Sequence, residues 1–235
     1  MADRIAVVGV IAALDSELQK ILDLLEDVQE EQRAGIYYYV GKLDSLTVVA
    51  TVCGVGKVNA AICTQLLCGR YGVQALLNTG IAGSLHKDLV PLSLVIPDSF
   101  AYHDVDAKQM TFSFPYVAAF DADLGLTKML RGIAEAEGLM AGGGLLVTGD
   151  AFIAETSKKR EIQSIFDAAC VDMESAAIAH TAYVNGIPFA AIRCISDIAD
   201  DMADDTFREY EEAAAEKAAG IMCLLLRKIA ASADA

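Results

Sequence analysis

The 235-residue sequence has no tryptophan, four prolines and three histidines, and it is short of positive charge: Lys+Arg 18 against Asp+Glu 33, a formal net charge of −15. That shortage excludes long-range attraction to nucleic acid or to an anionic membrane, since both need a basic face. The histidines, at 86, 103 and 180, are too scattered for metal-ligand spacing. His103-Asp104-x-Asp106 is one polar cluster, and it reads as a loop tip more simply than as a metal site. None of the six cysteines (53, 63, 68, 170, 194 and 223) forms a Cys-x-x-Cys pair, and all lie in apolar runs. They read as reduced core thiols of a cytoplasmic protein. Long hydrophobic runs are missing too. The longest uncharged stretch, Ser175 to Ile192, is broken by His180, Asn185-Gly186 and Pro188, so it is a helix, a turn and a strand rather than a membrane span. Ile5 to Leu14 follows Arg4, but Asp3 stands just ahead of it, and it reads as a buried strand rather than an export signal.

What is present is apolar: 54% hydrophobic residues against 22% charged, enough to bury a substantial core. Strand-like runs alternate with helical patterns. Ile5–Ala13 reads as a strand and Asp15–Val28 as a helix with Leu18, Ile21, Leu22 and Leu25 on one stripe. Strands follow at Ile36–Val40, Leu46–Cys53, Val73–Thr79, Leu92 to about Tyr102, Leu145–Thr148, Ala168–Asp172 and Phe189–Ser196. Helices are expected over Val58–Tyr71, Asp123–Glu137, Ser157–Phe166, Ser175–Val184 and Asp205–Ala230. Residues 104–120 lack a clear period; Met110, Phe112, Phe114 and Tyr116 alternate there, as in an edge strand or an interaction loop. No linker, repeat or low-complexity tract divides the chain. The expectation is one α/β domain over 1–235, built on a mixed, mainly parallel twisted sheet flanked by helices.

Ligands of parallel α/β sheets bind outside the carboxyl ends of the strands. The residues just past each apolar run are therefore the candidates: Asp15-Ser16-Glu17, Asn78 to Gly83, Thr148 to Ile153, Asp172-Met173-Glu174 and Arg193 to Asp197. Carboxylates recur along this edge. Glu17 and Glu174 also suit the first turn of a helix, where negative charge meets the dipole, and Asp197 suits a cap. Arg193 interrupts an apolar strand and needs an acidic partner, structural or catalytic. If the strand continues, residues 193, 195 and 197 share a face. Gly54-Val55-Gly56-Lys57 precedes a helix, so its amides suit an anion. Thr51 and Val58 break a P-loop pattern and Asn59 a dinucleotide fingerprint. There is no Gly-x-Ser-x-Gly elbow, and no cysteine has an obvious histidine partner.

In this order, Ala12-Ala13-Leu14-Asp15-Ser16-Glu17, Cys53 to Lys57, Asn78-Thr79-Gly80-Ile81-Ala82-Gly83, Tyr102-His103-Asp104, Gly149-Asp150-Ala151-Phe152-Ile153, Val171 to Ala177 and Ser196-Asp197 resemble the 5′-methylthioadenosine/S-adenosylhomocysteine nucleosidases of the nucleoside phosphorylase superfamily. The likeness runs from about residue 4 to 230. It implies hydrolysis of an N-glycosidic bond to adenine and a thioribose, with neither metal nor organic cofactor. Asp197 would protonate the leaving base, Glu17 would activate water, and Arg193 would help hold the water and the acidic groups. Glu174 would accept from the ribose hydroxyls with Met173 beside the sugar. Phe152 would stack on adenine and the Ile153 backbone read its edge, with Ala82, Gly83 and Ser196 completing the contacts. A homodimer is also implied, with residues 102–120 near the partner. Ile81 stands where several relatives have a hydroxyl residue, and residues 107–120 match poorly. The alternatives are a purine nucleoside phosphorylase, a futalosine-type nucleoside hydrolase or a non-catalytic nucleoside binder. Leu76 and Leu77 occupy the approach where related phosphorylases carry a phosphate-binding arginine, which favours water as nucleophile.

Overall fold

The computed structural model describes residues 5–233. In chain order the elements are β1 (Val7–Ala12), α1 (Asp15–Leu22), β2 (Glu26–Arg33), β3 (Ile36–Leu43), β4 (Leu46–Val52), α2 (Lys57–Leu66, prolonged by a π-helical turn Leu67–Tyr71), β5 (Ala75–Ser84), β6 (Leu94–Val95) and β7 (Ser99–Tyr102). They continue with α3 (Ala107–Phe112), β8 (Ala119–Asp121), α4 (Leu124–Ala136), β9 (Ala141–Gly142), β10 (Leu145–Thr148), α5 (Thr156–Ile165), β11 (Ala168–Asp172), α6 (Ser175–Asn185), β12 (Phe189–Asp197) and α7 (Ala203–Ala233).

All the described strands join one mixed sheet in the order β2-β3-β4-β1-β5-β11-β10-β7-β8, with β12 against β5 and β6, and β6 against β9. The centre is parallel: β1 runs between β4 and β5, β5 pairs along its length with β12, and β10 lies between β7 and β11. Antiparallel pairing is confined to the edge hairpins and two short joints, β5 with β11 and β6 with β12. The apolar runs are continuous because both faces are covered. On one face Leu18, Ile21, Leu130, Leu225 and Leu226 of α1, α4 and α7 close over Val8, Val10, Leu77 and Ile192. On the other, Ala60 and Cys63 of α2 and Ala176, Ile178 and Ala182 of α6 close over Ile11, Leu76, Ala191 and Ile195.

The structure departs from the sequence reading in three places. The first helix stops at Leu22, and Glu26–Arg33 is a strand hydrogen-bonded antiparallel to β3. Its Glu and Gln content favours helix locally, but β3 offers a pairing edge, and the nearly fully exposed, charged β2 then caps the sheet against further pairing. The strand expected from Leu92 to Tyr102 is two, β6 and β7, parted at Pro97-Asp98. The alternation at 110–116 is not a strand either. Asp106 accepts the N–H groups of Lys108 and Gln109 at 2.9 and 3.2 Å and starts α3, which buries Met110 and leaves Phe112, Phe114 and Tyr116 exposed.

Candidate active site

The carboxyl ends of β1, β5, β11 and β12 open into a cavity of about 350 Å³. Glu17, Glu174 and Asp197 all line it, with Ala82, Gly83, Phe152 and Met173. Ile153 lines a smaller hollow of about 30 Å³ that shares Gly83, Phe152 and Asp197 with the cavity. Residues from seven separated stretches of the chain thus meet at one place: the parallel strands β1, β5 and β12 carry their carboxyl ends to one edge, and the short antiparallel joint of β11 with β5, Val171 opposite Gly83, brings Met173 and Glu174 to it.

Glu17 sits in the first turn of α1 and turns back. Its Oε2 accepts the N–H groups of Ala13 and Leu14 at 2.8 and 2.9 Å, and its Oε1 accepts the Ile81 N–H at 3.0 Å. It both caps its own helix and faces the cavity. Glu174 does not cap α6; Asp172 does, accepting from the Ser175 N–H at 3.1 Å. Glu174 Oε1 instead accepts the Gly56 N–H at 2.7 Å. Asp197 accepts the Ala199 N–H at 2.9 Å on Oδ1 and the Ser196 hydroxyl at 2.9 Å on Oδ2. A register shift between Ile195 and Asp197 breaks the alternation that a common face for 193, 195 and 197 requires, and it re-aims Asp197 toward the cavity.

Arg193 stands behind the wall rather than in it. Its Nε and Nη2 donate to Asp172 Oδ2 at 3.1 and 2.9 Å, and Nη2 donates to Ser175 Oγ at 2.8 Å and to Asn78 Oδ1. Both side chains of the Arg193–Asp172 pair are 2% exposed. Thr148 donates to the other Asp172 oxygen at 2.5 Å. Asp172, Asn78 and Thr148 are marked in the sequence only by their place after an apolar run, and Ser175 not even by that: a buried arginine predicts a carboxylate partner but does not say which. Gly80 lets this centre touch Glu17, since a Cβ there would fall 2.7 Å from Glu17 Oε1 and 3.2 Å from Arg193 Nη1. Gly83 does the same for Asp197, whose Oδ1 would lie 2.8 Å from a Cβ. Ser196 too is behind the wall, bonded to Asp197. Sequence analysis also gives no place in the wall to Val55, Asp204 and Phe207; Phe207 packs edge-on against Phe152, with ring centroids 5.6 Å apart.

The Gly54–Lys57 amides do bind anions, but the protein's own: Glu174 on Gly56 and Asp150 on Lys57. The His103-Asp104-x-Asp106 residues diverge. Asp104 pairs with Lys57, Asp106 caps α3, and the His103 ring packs against Gly149.

Burial governs the charges. It holds the Asp197 carboxyl above the ordinary carboxylate range, against the Ala199 N–H and the Ser196 hydroxyl. Burial also raises Glu17, against Arg193 and three backbone N–H groups. Burial first and Asp172 second push Glu174 up to about 8, with the Gly56 N–H and Arg193 opposing.

The sequence pattern of the phosphorylase superfamily matches residues 7–230. A 5′-methylthioadenosine/S-adenosylhomocysteine nucleosidase of Staphylococcus carnosus is 34% identical over 227 residues, 94% of this chain and 100% of the relative. The crystal structure of the Neisseria meningitidis nucleosidase of the same name, in complex with methylthio-immucillin-A, superposes with a TM-score of 0.91 at 32% identity, covering 95% of this chain and 99% of that one. The futalosine hydrolase of Helicobacter pylori has the same TM-score at 26% identity, covering 95% and 98%. Fold and site together define a nucleoside-processing α/β enzyme with an acidic cavity. The chain belongs to the phosphorylase superfamily and, within it, to the 5′-methylthioadenosine/S-adenosylhomocysteine nucleosidases.

The raised Glu174 gives a prediction for stability. A carboxyl whose folded value lies above its unfolded one stabilises the fold below the unfolded value, and that contribution is lost as pH rises through the folded value. For Glu174 the window runs from 4.5 to about 8. Glu174→Gln should therefore gain in Tm relative to the native protein between pH 5 and pH 9. A Tm difference that stays constant across that range would contradict the assignment.

Proposed function

We propose that this cavity hydrolyses the N-glycosidic bond of 5′-methylthioadenosine and S-adenosylhomocysteine, releasing adenine and the thioribose. The observation that carries the reading is that Glu17, Glu174 and Asp197 face one cavity with no ion-pair partner among the described residues, beside an aromatic ring and two small residues. Bond cleavage leaves negative charge on the base and positive charge on the ribose. Asp197, whose carboxyl burial raises, donates its proton to adenine N7 as the electron pair of the C1′–N bond moves onto the base. Glu17 takes a proton from water as the water oxygen attacks C1′. Glu174 in its ionised form, which gains ground as pH rises toward about 8, accepts from the 2′- and 3′-hydroxyls, and its attraction grows as the ring becomes cationic.

Phe152, 43% exposed, offers a face for adenine at the cavity's open side, and Ile153 beside it presents its backbone to the base edge. Met173 packs by the sugar, Ala82 and Gly83 let the ligand approach the backbone, and Ser196 orients Asp197. Arg193 works through Asp172 and across Gly80 toward Glu17, which makes it a positioning residue rather than a water ligand.

The whole chain, 1–235, acts as one nucleosidase unit, and six unpaired cysteines support a cytoplasmic setting. Among the described residues no helix is long and apolar enough to cross a membrane. The chain works as a homodimer with the 102–120 segment at the partner. Grooves are lined by Val58, Ile62, Val105, Phe114, His180 and Val184, and Phe112, Phe114 and Tyr116 of the same segment leave large apolar side chains exposed.

Asp197→Asn and Glu17→Gln should each lower kcat for methylthioadenosine by about 100-fold or more while KM stays within about threefold. Near-normal kcat in either folded variant would move that role elsewhere, and turnover of futalosine but not methylthioadenosine by the native enzyme would favour the futalosine reading. The native protein should sediment as a dimer and Phe114→Asp as a monomer; a monomeric native protein at micromolar concentration would contradict the assembly.

A further inference from the structure

Two loops that contribute to the cavity, those carrying Val55 and Phe152, are tied to the loop after β7 by one ammonium. Lys57 Nζ lies 2.7 Å from each carboxylate oxygen of Asp104, in the loop after β7, and 3.5 Å from Asp150 Oδ2, in the loop after β10. Asp150 Oδ1 accepts the Lys57 backbone N–H at 2.9 Å, and Asp104 Oδ2 accepts the Asp150 N–H at 3.0 Å. The ring of contacts is closed: each of the three residues touches the other two. The ammonium also lies 5.4 Å from the centre of the Tyr102 ring. The Lys57 side chain is 19% exposed, so this is not a fully solvated surface pair. Burial raises the Asp104 carboxyl, but the Lys57 ammonium and the Asp150 N–H outweigh it and hold Asp104 below its ordinary range.

Two features of α2 make its start depend on this ring. The residue before Lys57 is Gly56, which has no side chain to cap the helix, and the first turn carries no acidic residue. Asp150, from a loop 93 residues away in sequence, fills that place. Gly56 is also the residue whose N–H holds Glu174 Oε1 at 2.7 Å. Asp150 in turn directly precedes Ala151, Phe152 and Ile153, which line the cavity and its adjoining hollow. Without the ammonium, the two carboxylates would repel across the same gap, opposed only by the backbone N–H bonds of Asp150 and Lys57.

We propose that Lys57 is a positioning residue for this site: by clamping Asp104 and Asp150 it fixes both the Gly56 N–H that holds Glu174 and the loop that presents Phe152 and Ile153. The kinetic consequence rests on the nucleosidase reading; the structural consequence does not. The base contacts of Phe152 and Ile153 are made in the ground state and fall on KM, while Glu174, whose attraction grows as the ring becomes cationic, also carries part of the loss into kcat.

The test uses the full chain with Lys57→Met, Lys57→Arg and Asp104→Asn, read by amide hydrogen exchange and by steady-state kinetics on methylthioadenosine. Lys57→Met should speed exchange at the Gly56 and Asp150 amides about tenfold or more, with the β5 amides unchanged. KM should rise about tenfold and kcat should fall with it through Glu174, and Lys57→Arg, which retains a charged fork for Asp104, should recover most of both losses. Asp104→Asn should move both readouts in the direction of Lys57→Met, and it decides the matter if Lys57→Met does not fold. Native-like exchange and KM in Lys57→Met or Asp104→Asn would overturn the proposal, as would Lys57→Arg failing as badly as Lys57→Met. If the native enzyme released no adenine, the nucleosidase reading would fall while the exchange measurement still decided the clamp.

Discussion

A buried ion pair organises this acidic protein. Arg193, in the middle of a strand, gives its guanidinium to Asp172 and, through the same group, to Asn78 and Ser175. Those partners belong to β11, β5 and the first turn of α6, so one side chain fastens together the elements whose ends make the cavity. Removing one partner of such a pair leaves a charge stranded out of water, at a cost of about 3–5 kcal/mol. The pairing has a second effect. With the guanidinium committed to Asp172, the cavity carboxyls of Glu17, Glu174 and Asp197 are left with backbone N–H groups and one hydroxyl as their direct partners. Burial then outweighs stabilisation, and all three are raised. The upward shift of the cavity carboxyls follows from where the cation goes, as much as from where the acids sit.

Glu17 and Asp197 were legible because the parallel strands β1, β5 and β12 end at one edge; Glu174 was legible as the residue past an apolar run, although the antiparallel joint of β11 with β5 that brings it there has no local signature. Glu17, Glu174 and Asp197 each follow such a run. What stayed hidden depends on contacts between distant segments. The polar stretch Glu26–Arg33 has helical composition and becomes a strand only because β3 presents an unpaired edge. Met110, Phe112, Phe114 and Tyr116 mimic a two-residue period that the Asp106 cap overrides. The partner of Arg193 is not its strand neighbour but a residue two strands across the sheet, and no local pattern marks Asp172 over the other strand-end acids. The bulge that turns Asp197 into the cavity has no sequence signature either.

The same internal accounting bears on the nucleophile. The glycine turn before α2 has the form of an anion site, yet its two amides are engaged by Glu174 and Asp150. Among the described residues, the cavity wall contains carboxylates and no arginine or lysine. A phosphate entering it would meet like charge, whereas a water would find Glu17 as a base.

The central claim is therefore that desolvated carboxylates split the glycosidic bond with water. Adenine release from methylthioadenosine, followed with and without added phosphate while the sugar product is identified by mass, tests it most directly. The account predicts the same rate in phosphate-free buffer and a free thioribose. A rate that depends on phosphate, with the sugar recovered as its 1-phosphate, would contradict it.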